Sequence, residues 1–151
     1  MGYQESMLFC SNKKNFNKLC KKLNASKAEL DDFVSVYAIG KTKSSLTLFN
    51  PWSPNEEFGS IPENSYFVWW GGERHPFQSG CGLLDEEKEV FNVNSPYWYC
   101  VFCEYIKQMD ELLRDMTVDN ANGFLRDNNN IRLLELPEGD SIKDEYVQQL
   151  E

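Results

Sequence analysis

The apolar run at residues 66–70, YFVWW, restricts the fold more than any other feature of the chain. Large apolar side chains at every position, without polar alternation, indicate a strand that is buried on both faces. The length of the run is typical of a strand rather than of a helix. The sequence therefore predicts a central, buried strand here, with a sheet built around it.

Hydrophobic patterning predicts the remaining strands. They are expected at residues 6–10, 33–39, 45–49, 89–93 and 131–136. Residues 33–39 and 45–49 are expected to form a hairpin, because a glycine-containing turn lies between them. Residues 50–64 contain three prolines and no periodicity, so they are expected to form a loop.

Helical spacing of apolar residues predicts an amphipathic helix over residues 12–23, with Ser11 as its N-cap. A single helical turn is expected separately at Ser26. A second long helix is expected from Ser95 to residue 116, because serine followed by proline suits a helix start. A strand at residues 97–103 is the competing interpretation, since aromatic and β-branched residues favour strands. A short C-terminal helix is expected after Ser141.

The order of these elements predicts an α+β fold. Adjacent strands with few helices favour a mostly antiparallel sheet of five to six strands, on which two main helices and the short C-terminal helix pack. A chain of 151 residues is the size of one domain, so residues 1–151 are expected to form a single α+β domain.

Charge and composition favour some kinds of partner over others. The net charge is −9, with eight lysines and four acids in residues 1–50 but seven basic and twenty acidic residues afterwards. Such acidity repels nucleic-acid phosphates and favours another protein as partner, with a basic surface as one option. No apolar run is long enough to span a bilayer and no signal-peptide pattern is present, which predicts a soluble, cytoplasmic protein that does not bind membranes.

The first predicted helix has a basic face, formed by Lys13, Lys14, Lys18, Lys21 and Lys22. A basic amphipathic helix can contact phosphate, anionic lipid or an acidic protein surface. A solvated lysine face is the alternative, which the lack of arginine and of interleaved aromatic residues favours.

Residues 69–82, WWGGERHPFQSGCG, hold four glycines and the only histidine of the chain, His75. They lack the motifs of a phosphate-binding glycine loop. His75 and Cys81 could join Cys100 and Cys103 as a zinc ligand set. Bulky residues between the last two cysteines, and an odd total of five, make free buried thiols the simpler interpretation. No cofactor is expected, with zinc as the alternative.

The same segment also suggests a catalytic site. Cys81 could act as a nucleophile, with His75 as its base and Glu73 orienting the imidazole. The glycines around Cys81 match no nucleophile-elbow pattern, and one cysteine and one histidine often lie close in sequence by chance. A thiol-dependent enzyme therefore stays an alternative.

A recognition surface is the favoured interpretation of this segment. A strand directs Trp69 and Trp70 to opposite faces of the sheet, so that one tryptophan is expected in the core and the other partly exposed. The predicted partner-binding residues are Trp52, Phe58, Trp70, Arg74, His75 and Phe77. Aromatic residues and arginine are enriched at binding hot spots. The competing interpretation is an aromatic cluster that only anchors two loops.

The sequence thus predicts a small, acidic, cytoplasmic protein-interaction module without catalysis, with an inhibitor, immunity-type or adaptor role. A thiol-dependent enzyme and a zinc-stabilised domain are the two alternatives.

Overall fold

A computed structural model describes residues 4–30, 35–50, 53–72, 82–85, 90–94 and 131–151. The helices are α1 (Lys13–Leu30) and α2 (Asp144–Gln148). The strands are β1 (Gln4–Cys10), β2 (Ser35–Thr42), β3 (Leu46–Asn50), β4 (Ser53–Ile61), β5 (Tyr66–Gly72), β6 (Gly82–Asp85), β7 (Val90–Asn94) and β8 (Ile131–Glu135). The fold is α+β, as predicted, and its sheet is open and antiparallel.

The main sheet has the strand order β6-β7-β1-β5-β2-β8, and β3 pairs with β4 in a separate ribbon. All neighbouring strands are antiparallel. The strand β5 lies between β1 and β2, with Val68 opposite Leu8 on one side and Ile39 on the other. All seven residues of β5 are buried. The prediction of a central, buried strand at this position is therefore confirmed.

The sheet buries apolar side chains on both faces. On one face, Val68 and Trp70 belong to a core that includes Phe16 and Leu23 of α1. Side chains of a strand alternate between faces, so Phe67 and Trp69 point the other way, where they are also fully buried. On that second face the ring of Phe67 contacts Phe9 of β1, with 5.4 Å between the centroids.

The helix α1 is longer than predicted, and its cap is a different residue. It begins after Asn12, whose side-chain oxygen accepts a hydrogen bond of 2.9 Å from the Asn15 backbone nitrogen. Asn12 therefore acts as the N-cap that was assigned to Ser11. The separate helical turn expected at Ser26 is part of the same helix, which continues without a break to Leu30.

Two predictions in the middle of the chain are wrong. β2 pairs with β5 and β8, whereas β3 pairs with β4, so the predicted hairpin of β2 with β3 does not form. The backbone at Thr42 instead exchanges hydrogen bonds with Asn64 and Ser65, next to the start of β5. The predicted loop at residues 50–64 contains β4, in which Pro54 lies near the strand's beginning, where a missing N–H is tolerated.

The C-terminal segment returns to α1 after β8. Ile142, Val147 and Leu150 are buried in the core that α1 closes. The helix α2 confirms the expected short C-terminal helix, although Lys143 occupies its N-cap position and makes no side-chain cap hydrogen bond. The second long helix predicted over 95–116 lies outside the described residues. Of the helices that the structure describes, none has the length and apolar character needed to cross a membrane.

Candidate functional site

The strands that flank the predicted recognition segment, β5 and β6, belong to the same sheet, with β1 and β7 between them. β5 ends at Gly72, opposite Gln4 of β1. β7 ends at Asn94, opposite Ser6 near the same end of β1, and β6 begins at Gly82 beside β7. Gly72 and Gly82, the residues on either side of 73–81, thus both lie in paired strands of this sheet.

Trp70 does not contribute to an exposed surface. Both Trp69 and Trp70 have 0% relative exposure, so the expectation that one of the pair is partly exposed is wrong. The reason is that β5 is central and covered on both faces, whereas an exposed tryptophan would need an uncovered face. Trp69 also contacts Tyr37 edge-on, with ring centroids 5.3 Å apart.

The other predicted site residues fall almost entirely outside the described ranges, namely Trp52, Glu73, Arg74, His75, Phe77, Cys81, Cys100 and Cys103. Phe58 belongs to β4. Cys81 directly precedes the first residue of β6, and Trp52 directly precedes the first residue of β4. Within the described ranges, no three histidine, cysteine or acidic side chains are grouped closely enough to hold a metal ion.

The two cysteines that the structure describes, Cys10 and Cys20, are free and buried. Burial raises the pKa of each thiol to about 12, and for Cys20 the neighbouring Cys10 and Asp144 contribute to the rise. A thiol with such a pKa is protonated at neutral pH and is a poor nucleophile. These cysteines fill the core, and sequence neighbours such as Phe9 and Leu19 already indicated that role.

A polar groove of about 300 Å³ lies between α1 and the C-terminal segment. Its lining comprises Lys13, Asn17, Cys20, Lys21 and Asn24 from α1, with Ile142, Asp144, Val147 and Gln148 opposite. The buried side chains among these form an apolar floor, whereas the lysines and amides form the rim. Sequence patterning did not reveal this groove, because its two walls are more than a hundred residues apart in the chain.

Polar contacts with α1 fix the C-terminal segment, which forms the wall of the groove opposite α1 and is called the far wall below. The Asn24 side chain donates to the Ile142 carbonyl oxygen and accepts from the Ile142 nitrogen, both at 2.9 Å. Lys27 Nζ donates to the Asp140 carbonyl oxygen at 2.9 Å. At the other end, Lys13 forms an ion pair with Glu151, and its hydrogen bond lowers the pKa of the Glu151 carboxyl.

Contacts within the far wall stabilise it further. Tyr146 donates to Asp140 Oδ2 at 2.7 Å, and this hydrogen bond is the main cause that lowers the pKa of Asp140. Lys143 lies 3.4 Å from the same oxygen and 5.5 Å from the Tyr146 ring centroid. The two walls are therefore connected by side-chain and backbone contacts, so the groove has a defined shape.

No protein-family model, curated protein or solved structure matches this chain.

Proposed function

We propose that this chain is a small, acidic protein-interaction module of a single domain, acting in the cytoplasm without catalysis as an inhibitor, immunity-type protein or adaptor. The observation that carries the proposal is that residues 73–81 follow Gly72 and precede Gly82, which both lie in paired strands of the sheet. Binding residues are commonly found on connections held by a rigid scaffold. The strand β5 is buried along its whole length, so the backbone is fixed at Gly72, its last residue.

The composition of residues 73–81 supports protein recognition. Arg74, His75 and Phe77 follow each other closely within this segment. Arginine and aromatic residues supply a large share of the energy at protein interfaces, where they fill pockets and form hydrogen bonds. Trp52 and Phe58, from the region of the β3–β4 ribbon, are further candidates for the same surface. The acidic majority of the chain favours a partner with a basic surface.

Alanine substitutions in the connection test this function. The variant Arg74→Ala/Phe77→Ala is compared with the wild type in affinity capture from cell extract, followed by measurement of Kd for each protein retained. Loss of a hot-spot residue weakens binding by about tenfold or more, so the double variant should lose the partner. Trp52→Ala combined with Arg74→Ala extends the test to the second region.

The matched control is Glu63→Ala, because Glu63 is exposed in the turn before β5, at the opposite end of that strand. This variant should keep the affinity of the wild type. A partner that binds all variants equally would show that the binding surface lies elsewhere.

The thiol-dependent enzyme is the alternative, with Cys81, His75 and Glu73 as its catalytic residues. Its supporting observation is that Cys81 directly precedes Gly82, the first residue of β6. A catalytic thiolate should be alkylated at neutral pH far faster than Cys10 and Cys20, which serve as internal references. If Cys81 is alkylated no faster in the folded protein than in the unfolded protein, this alternative is excluded.

The zinc-stabilised domain, with His75, Cys81, Cys100 and Cys103 as ligands, is tested by native mass spectrometry of protein purified without chelator. One zinc per chain, lost together with thermal stability in a strong chelator, would support it. A bare polypeptide mass would exclude it.

A further inference from the structure

The helix α1 concentrates positive charge in an acidic protein. It contains six lysines and one glutamate, whereas the whole chain has a net charge of −9. Its first turn has no acidic residue and begins with Lys13 and Lys14. Lysines at a helix N-terminus oppose the helix dipole, and like charges four residues apart, such as Lys14 and Lys18, repel each other. Sequence choices that act against local stability are characteristic of functional sites.

Three of these lysines form an exposed row. Lys14, Lys18 and Lys21 are all exposed, and their spacing of four and three residues places them along one face of the helix. In the part of the chain that the structure describes, none of the three forms an ion pair with an acidic side chain. The row therefore presents positive charge that the described fold does not neutralise.

The groove between α1 and the C-terminal segment runs beside this row. Lys21 belongs to both, because it lines the groove and completes the exposed row. The buried side chains of Cys20, Ile142 and Val147 form the floor of the groove. A volume of about 300 Å³ is at the lower limit for small-molecule pockets, so the groove suits one inserted side chain.

We propose that the lysine row and the groove together form a docking surface for an acidic, extended segment of another protein. Carboxylates of that segment lie along Lys14, Lys18 and Lys21, and one of its apolar side chains enters the groove. Charge complementarity selects the occupant, and the apolar floor fixes its register. This surface shares no residue with 73–81, so its variants test it independently of the proposed function.

The surroundings of the row favour an acidic protein segment over the other polyanions. The apolar side of α1, with Phe16 and Leu23, is buried in the core and cannot insert into a lipid bilayer. The helix presents no exposed aromatic side chain on which a nucleic-acid base could stack. The acidic remainder of the chain repels an extended nucleic acid, while a short segment stays within one Debye length, about 8 Å, of the lysines.

The experiment uses a fluorescent synthetic peptide that alternates glutamate and leucine, with binding to the full chain followed by anisotropy at low and physiological salt. A peptide with serine in place of leucine and one with lysine in place of glutamate are the ligand controls. The glutamate–leucine peptide should bind most tightly, and its affinity should fall with added salt, because the contacts are exposed charge pairs.

Three variants assign the binding to this surface. Lys18→Glu should weaken peptide binding on the order of tenfold, since it replaces an attractive pair with a repulsive one. Lys43→Glu, which makes the same change in net charge at an exposed position outside α1, should have a clearly smaller effect. Asp144→Asn, which removes one negative charge from the lining of the groove, should strengthen binding.

Several outcomes would overturn the proposal. They are no peptide binding at low salt, or an equal loss of affinity in Lys18→Glu and Lys43→Glu, which would indicate only long-range charge. Equal affinity for the leucine and serine peptides would remove the role of the groove. Tighter binding of single-stranded RNA or anionic vesicles than of the peptide, with the same sensitivity to Lys18→Glu, would assign the surface to a different class of partner.

Discussion

The side chain of Asn24 holds the backbone of Ile142 by two hydrogen bonds, each 2.9 Å long, although the two residues are 118 positions apart in the chain. The Asn24 amide thus pairs with both backbone groups of Ile142, as a neighbouring β-strand would, and fixes the C-terminal segment to α1. Asn24 also begins an Asn-Ala-Ser triplet of the kind used for N-glycosylation, but its nitrogen is occupied as a donor in this contact.

Replacement of Asn24 by alanine should lower the free energy of unfolding. The substitution leaves the Ile142 N–H and C=O without these partners, at a cost of about 1–3 kcal/mol. The measurement is urea denaturation at neutral pH. Asn17→Ala is the matched control, because Asn17 lines the same groove without bonding the C-terminal segment, and its effect should stay within about 0.5 kcal/mol. Equal stability of both variants would contradict the assigned role of Asn24.

Replacement of Asn12 by alanine should destabilise α1. The Asn12 side chain caps the helix through the Asn15 nitrogen, and loss of an N-cap costs about 0.5–2 kcal/mol. Asn12→Asp should keep or increase stability, because aspartate also caps and its charge suits both the helix dipole and the adjacent Lys13 and Lys14. Urea denaturation of the two variants decides between them. If both variants lose the same stability, the cap is not the cause.

Stability should fall as the pH rises above about 9. Burial raises the pKa of the Cys10 and Cys20 thiols to about 12 in the folded protein, from an ordinary value of 9.0. Between these values the unfolded chain releases protons that the folded chain retains, so the free energy of unfolding decreases with pH. The contribution of the raised pKa values is complete below pH 9 and is lost progressively towards pH 12.

The control for this pH dependence is the Cys10→Ala/Cys20→Ala variant, with stability measured across the same alkaline range. Its absolute stability will be lower because side-chain volume is lost from the core. The slope of its stability with pH should nevertheless be shallower than that of the wild type. Parallel slopes would show that other groups, and not these thiols, dominate the alkaline loss.

Replacement of Gly40 by alanine should be strongly destabilising. A Cβ at this position would overlap the ring of Phe67 and approach the Arg132 carbonyl oxygen to 2.7 Å. Overpacking of a well-packed core costs about 1–3 kcal/mol, and contact with a neighbouring backbone leaves little room for adjustment. Gly139→Asn is the control, because Gly139 has a positive φ of 77° but open space around it. Asparagine tolerates that conformation, so the control should unfold close to the wild type in urea.

Local patterns predicted elements well and pairings poorly. The run at 66–70 identified β5, because an uninterrupted apolar strand requires cover on both faces. The predicted hairpin was wrong because the Ser65 backbone nitrogen donates a hydrogen bond to the Thr42 hydroxyl, 23 residues earlier in the chain. No local sequence pattern encodes a contact between residues so far apart. The β3–β4 ribbon was missed because prolines outweighed strand propensity in a ribbon whose register shifts twice.

Prediction of the candidate sites met a similar limit. The sequence singled out residues 69–82 by composition, but Trp70 proved to be core, since exposure depends on what covers a strand. The lysine row of α1 was visible in the sequence. The groove beside it was not, because Ile142 and Val147 approach Cys20 only through the fold.

The strand order has a consequence for how the chain folds during synthesis. β1 is synthesised before the other described strands, yet both its partners, β5 and β7, lie more than fifty residues later. Its apolar residues, Met7, Leu8 and Phe9, therefore remain without a sheet partner until residue 72 has been made. Unpaired apolar strands are prone to aggregation, and closing distant contacts is slow. Cellular yield should thus depend on chaperones that shield the newly made β1, more than on the stability of the finished fold.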